Sequence, residues 1–124
     1  MLKPISPTMH GAIDYATVFG TMAAPKMLKM PPRAAGLAYG LAAAIMGLAA
    51  FTDFKPGIKR TVPLKVHGIT DSALGLPLPA LPWMMGFARN KKARNFFLGL
   101  TGMVVLTTAL TDWTPSRKRR LLRR

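Results

Sequence analysis

The sequence predicts an all-α protein, a four-transmembrane-helix bundle made by tandem duplication of one helix hairpin. Three observations lead there. Half of the 124 residues are hydrophobic. Two long stretches carry no charge, Ala34 to Thr52 and Phe96 to Thr111. The two halves of the chain also repeat each other. About 20 apolar residues, rising ~1.5 Å each, cross the hydrocarbon core of a bilayer.

The repeat is carried by three blocks. His10-Gly11-Ala12-Ile13-Asp14 returns as His67-Gly68-Ile69-Thr70-Asp71. Ala24-Pro25-Lys26-Met27 returns as Leu81-Pro82-Trp83-Met84. Phe51-Thr52-Asp53-Phe54-Lys55-Pro56 returns as Leu110-Thr111-Asp112-Trp113-Thr114-Pro115. Both histidines and all four acidic residues fall inside these blocks. Repetition at this scale means that each unit buries its apolar face against its twin.

The elements follow in order. The first repeat is residues 1–60, with spans near Pro7–Met27 and Ala34–Phe54. Ser6-Pro7 supplies a cap and a first-turn proline. Small residues at Gly36-x-x-x-Gly40-x-x-x-Ala44 and Ala43-x-x-x-Gly47 suit close helix contact in lipid. Pro56-Gly57 ends the second helix and turns the chain. The second repeat is residues 61–116, with spans near Leu64–Phe87 and Phe96–Trp113. Pro77, Pro79 and Pro82 predict a kinked or partly unwound third span, tolerated at membrane depth only where protein or trapped water covers it. Trp83, Phe87 and Trp113 are expected at the lipid headgroups. Residues 117–124 form a basic tail. No cleavable signal is read at the N-terminus, since His10 and Asp14 interrupt the first apolar stretch.

Composition narrows the function. The net charge is +14, with no glutamate and no cysteine. Disulfides, thiolate metal sites and cysteine nucleophiles are therefore excluded. The charge would suit a nucleic-acid binder, but uncharged runs of this length are hard to keep soluble in so short a chain, so nucleic acid is not the expected partner. Two hairpins in tandem give a parallel repeat with both termini and the middle loop on one side. Eleven basic residues lie on that side and seven on the other, which places both termini in the cytoplasm. No phosphate-binding loop or nucleophile elbow is present, and no enzyme is expected.

His10 and Asp14 share one helix face, and His67 and Asp71 repeat that geometry. Asp53 and Asp112 close the second and fourth helices. Hairpin geometry is expected to gather all six groups at one level as an interhelical polar cluster. The bland role is tying helices together, with imidazoles bonded to Asp53 or Asp112 and with Thr52 and Thr111 bonded to neighbouring carbonyls. Ionisable groups inside spans also suggest a proton or ion relay. A third reading makes His10 and His67 axial ligands of a haem b. A divalent metal would suit two nitrogens and several carboxylates, but no metal-ligand spacing supports it. Neither metal nor cofactor is therefore expected. In the tail, Arg117, Lys118, Arg119, Arg120, Arg123 and Arg124 are expected to contact anionic lipid headgroups or an acidic partner.

The pattern His-Gly-x-x-Asp, a Pro-Trp helix end, and Thr-Asp-aromatic before a basic, proline-bearing loop resembles bacterial membrane proteins with SPW repeats. The second copy carries it best, as Ala80-Leu81-Pro82-Trp83-Met84-Met85-Gly86-Phe87. The first copy has Lys26 where tryptophan would stand, which suggests that its loop has changed partner or depth. The resemblance implies two-span repeats and no established activity. The expected molecule is a multi-pass protein of a bacterial inner membrane, a non-enzymatic structural or accessory subunit. Its expected partners are lipid, further copies of itself or a larger membrane complex.

Overall fold

A computed structural model describes residues 3–114. Among them the chain is helical, with no strand beyond two isolated β-bridges. Helix α1 is Pro7–Met27 and α2 is Pro32–Phe51. Helix α3, Leu64–Gly75, leads through a 3-10 turn at Leu78–Ala80 into the short α4, Leu81–Met84. Helix α5 is Lys91–Leu110.

The ends of these helices are written locally. Ser6 accepts a hydrogen bond from the Met9 amide at 3.1 Å and caps α1, with Pro7 in its first turn. At the other end Lys29 adopts φ 48°, and the Met30 amide reaches back to Pro25 O at 3.0 Å, closing a Schellman-type cap. Asn90 caps α5 through the Ala93 amide at 3.0 Å, so that helix starts five residues earlier than its apolar run. Gly86 turns the chain after α4 with φ +77°, a conformation that favours glycine. The third apolar segment is broken where Pro77, Pro79 and Pro82 remove amide donors.

Helices α2 and α5 are each long and apolar enough to cross a membrane. Helix α1 is as long but carries His10, Asp14 and Lys26, and α3 has only 12 residues.

Two cores form. The larger lies toward the α1–α2 and α4–α5 turns, where Ala34, Ala38, Phe87, Ala93, Phe97 and Leu100 are buried together. Ala34, Ala38 and Ala42 form an inward stripe on α2, each at most 1% exposed. The smaller core, at the opposite end, holds Ala49, Phe54 and Leu64, with Tyr15 and Trp113 packed against it.

The repeats are joined crosswise. Ile5, leading into α1, pairs in parallel with Thr111 after α5, and Val62, leading into α3, pairs with Thr52 after α2. The Asp112 amide donates to Ile5 O at 2.9 Å, and the Asp53 amide to Val62 O at 2.7 Å. These exit strands are why α2 stops at Phe51 and α5 at Leu110, before the predicted ends at Phe54 and Trp113: Thr52 and Thr111 are extended. Each repeat is thus stitched at its start to the end of the other.

Candidate functional site

Just inside these crossed ends, the first turns of α1 and α3 bring four side chains together. His10 Nε2 lies 3.0 Å from Asp71 Oδ2 and 3.4 Å from Asp14 Oδ1. His67 Nε2 lies 3.2 Å from Asp14 Oδ2 and 3.4 Å from Asp71 Oδ2. The shorter contact of each histidine is with the other repeat, and the longer is with the residue four places on in its own helix. The rings meet edge to face, with centroids 5.2 Å apart. His10 and His67 are 1% and 0% exposed.

The other ring nitrogens are held by threonines, again across the repeats. His10 Nδ1 is 2.7 Å from Thr111 Oγ1, and His67 Nδ1 is 2.7 Å from Thr52 Oγ1. Each hydroxyl has one proton. Thr111 donates it to Thr107 O at 2.6 Å, and Thr52 donates it to Leu48 O. Both hydroxyl oxygens therefore accept from the imidazoles, which fixes Nδ1–H on both rings and turns both Nε2 atoms to the carboxylates.

The surrounding packing excludes water on one side. Trp113 lies 4.8 Å from His10 and 5.7 Å from His67, centroid to centroid, and Phe54 lies 5.5 Å from His67. Glycine makes this approach feasible. A Cβ at Gly68 would sit 2.9 Å from the Trp113 ring, and one at Gly11 would sit 2.9 Å from Phe54. On the other side a mainly apolar cavity of about 30 Å³, walled by Ile13, Leu41, Leu74 and Leu100 among others, takes His10, Asp14, Asp71 and Thr107 into one wall. It has room for about one water.

Of the six residues expected to cluster, the structure brings together His10, Asp14, His67 and Asp71. It does not bring in the side chains of Asp53 or Asp112. Asp53 is exposed. Asp112 is buried, and its Oδ1 accepts from the Thr114 amide at 3.0 Å. Their backbone amides stitch the repeats, while Thr52 and Thr111, one residue before them, take the imidazoles. The sequence pointed to those threonines only as carbonyl donors, although both belong to a repeated block beside an aspartate. Two aromatics also differ from expectation. Phe87 and Trp113 pack inside, whereas Trp83 is exposed. The basic residues Arg117 to Arg124 lie outside the described residues.

The fold defines an all-helical chain with two helices able to span a membrane and a buried, two-fold-related cluster of two histidines and two aspartates. No protein-family model, curated protein or solved structure matches the chain.

Proposed function

We propose that the protein is a non-enzymatic structural component of a bacterial inner membrane, crossing it four times and packing against further copies of itself or a larger membrane complex. The outward faces of its segments support the four crossings. The histidines and aspartates that lower the hydropathy of α1 and α3 point inward. Outward stand Phe19 (69% exposed) and Met22 on α1, Ile69 (69%) and Leu76 (80%) near α3, and Met84 (75%) on α4. A soluble monomer rarely exposes so many large apolar side chains along its helices. Exposed charges sit at the helix ends, at Lys26, Lys65, Lys91 and Lys92. The SPW-repeat resemblance belongs to this same reading.

The single observation that carries the association is the outer stripe of α2. Gly36 and Gly40 are exposed, and a Cβ added at either would meet nothing within 4 Å. The intramolecular contact of α2 uses Ala34, Ala38 and Ala42 instead. A second small-residue face is thus left outward, in the spacing that lets membrane helices approach closely. The test is the native mass of the protein extracted from its own membranes in mild detergent. An assembly larger than one chain, reduced to a monomer by Gly36→Leu with Gly40→Leu, supports the proposal. A wild-type monomer overturns it. A second reading, an oligomeric proton or ion carrier, is favoured by the cavity that His10, Asp14 and Asp71 share, which has room for about one water. Ion uptake by the wild type that is abolished by Asp14→Asn or Asp71→Asn would select it.

A further inference from the structure

We propose that His10, Asp14, His67 and Asp71 form a binding site for one divalent transition-metal ion of the zinc type. The two Nε2 atoms and one oxygen from each carboxylate would be its ligands. The site lies within one chain, so it stands or falls separately from any association through α2.

Spacing is the first argument. The four candidate ligand atoms lie within 4.8 Å of one another. Zinc bonds to histidine nitrogen and carboxylate oxygen are about 2.0–2.2 Å, so the edge of a tetrahedral site is about 3.3–3.6 Å. With Asp14 Oδ2 and Asp71 Oδ2 as the oxygens, three nitrogen–oxygen separations are 3.0, 3.2 and 3.4 Å, and the 3.4 Å contact of His10 with Asp14 is made by the other oxygen, Oδ1. Three edges of the polyhedron are already near their bound length. The remaining pairs lie within 4.8 Å and would close by side-chain rotation of the aspartates.

Orientation is the second. His67 Nε2 and Asp14 Oδ2 are buried and 3.2 Å apart, yet neither is aligned in a hydrogen bond with any group. Two polar atoms that close would ordinarily lie along a donor–acceptor axis, because a buried unpaired group is costly. Here they converge beside each other, as ligands of one ion do. Outer contacts agree. A metal-bound histidine donates its remaining N–H to a fixed acceptor, and Thr52 and Thr111 accept from both Nδ1 atoms. A cation would take the place of the proton that His10 Nε2 shares with Asp71 Oδ2 at 3.0 Å, and His67 Nε2 has no hydrogen-bond partner to give up.

Charge is the third. With both imidazoles neutral the two carboxylates leave −2, and a divalent ion replacing two imidazole protons keeps the set at zero, as an apolar interior requires. Two nitrogens and two oxygens match a borderline ion such as Zn²⁺ or Co²⁺ better than Ca²⁺, which prefers six to eight oxygens. With four protein ligands the site is closed, which marks a structural ion rather than a catalytic one. Each repeat gives one histidine and one aspartate, so the ion would bridge the repeats.

The experiment uses the full-length protein in mild detergent, stripped with a chelator and titrated with Zn²⁺ against a competing indicator. Co²⁺ provides a visible-absorption check of tetrahedral geometry. The expected result is one Zn²⁺ per chain, a tetrahedral Co²⁺ spectrum and a raised unfolding temperature. Asp14→Asn and His67→Gln should each weaken binding by more than the roughly 10- to 100-fold that loss of an outer hydrogen bond removes. Asp53→Asn, outside the site, should leave affinity unchanged. A folded, monodisperse wild type that takes up no stoichiometric Zn²⁺ overturns the proposal without reference to any variant. So does a folded Asp14→Asn protein that binds as tightly as wild type.

Discussion

Replacing Thr52 by valine removes one hydroxyl and little volume. Its oxygen is the acceptor for His67 Nδ1–H at 2.7 Å. His67 is fully buried, walled by Phe54 and Trp113, so the freed N–H has no substitute acceptor on that side. A buried donor left unpaired costs about 1–3 kcal/mol. Interhelical hydrogen bonds in membranes average about 0.6 and reach about 1.7 kcal/mol, because the unfolded helices find other partners in lipid. The enclosure of His67 places Thr52→Val near the upper of those membrane values, at about 1.5 kcal/mol. The two-fold relation predicts a similar loss for Thr111→Val through His10. Thr52→Ser keeps the oxygen and should recover most of it. The assay is reversible unfolding by SDS in mixed micelles, followed by far-UV circular dichroism. Equal stability of the valine and serine variants would refute the reasoning, since the hydroxyl would then contribute nothing beyond shape.

Gly68→Ala should destabilise the fold by about 1–3 kcal/mol, as overpacking does, because its Cβ would lie 2.9 Å from the Trp113 ring; the same unfolding titration measures it. Gly40→Ala, with open space around it, should instead leave intramolecular stability equal or higher, since alanine favours helix by about 1 kcal/mol over glycine. Phe97→Ala should cost about 3–5 kcal/mol, because Phe97 is fully buried between Phe87 and Phe96; a cost under about 1 kcal/mol would show that the larger core closes over the gap.

Much of this architecture was legible in the residues. The start of α1 at Pro7 followed from Ser6-Pro7, and the break after α3 followed from its prolines. The i, i+4 spacing placed each histidine and aspartate on one helix face, and the structure brings the two pairs together. The crossed stitching was not legible. Hairpin logic pairs the end of α2 with the start of α1, but Thr52 pairs with Val62 and Thr111 with Ile5. Hydropathy patterns report which face is apolar and are silent on which repeat covers it. For the same reason Asp53 and Asp112 were expected in the cluster, whereas an extended backbone at Thr52 and Thr111 turns the threonines inward. The two small-residue stripes of α2 also look alike in sequence. Only packing distinguishes Ala34, Ala38 and Ala42, which face in, from Gly36 and Gly40, which face out.

We propose a parallel two-repeat protein that crosses the membrane four times. The chain has no cysteine, so single cysteines can be placed at exposed Ile58, Lys29 and Arg89 and probed in intact cells with a membrane-impermeant thiol reagent. Labelling of Lys29→Cys and Arg89→Cys from outside, with Ile58→Cys labelled only after the membrane is opened, is the predicted result. Lys29→Cys and Arg89→Cys reacting on opposite sides, or all three labelling only after opening, would contradict it.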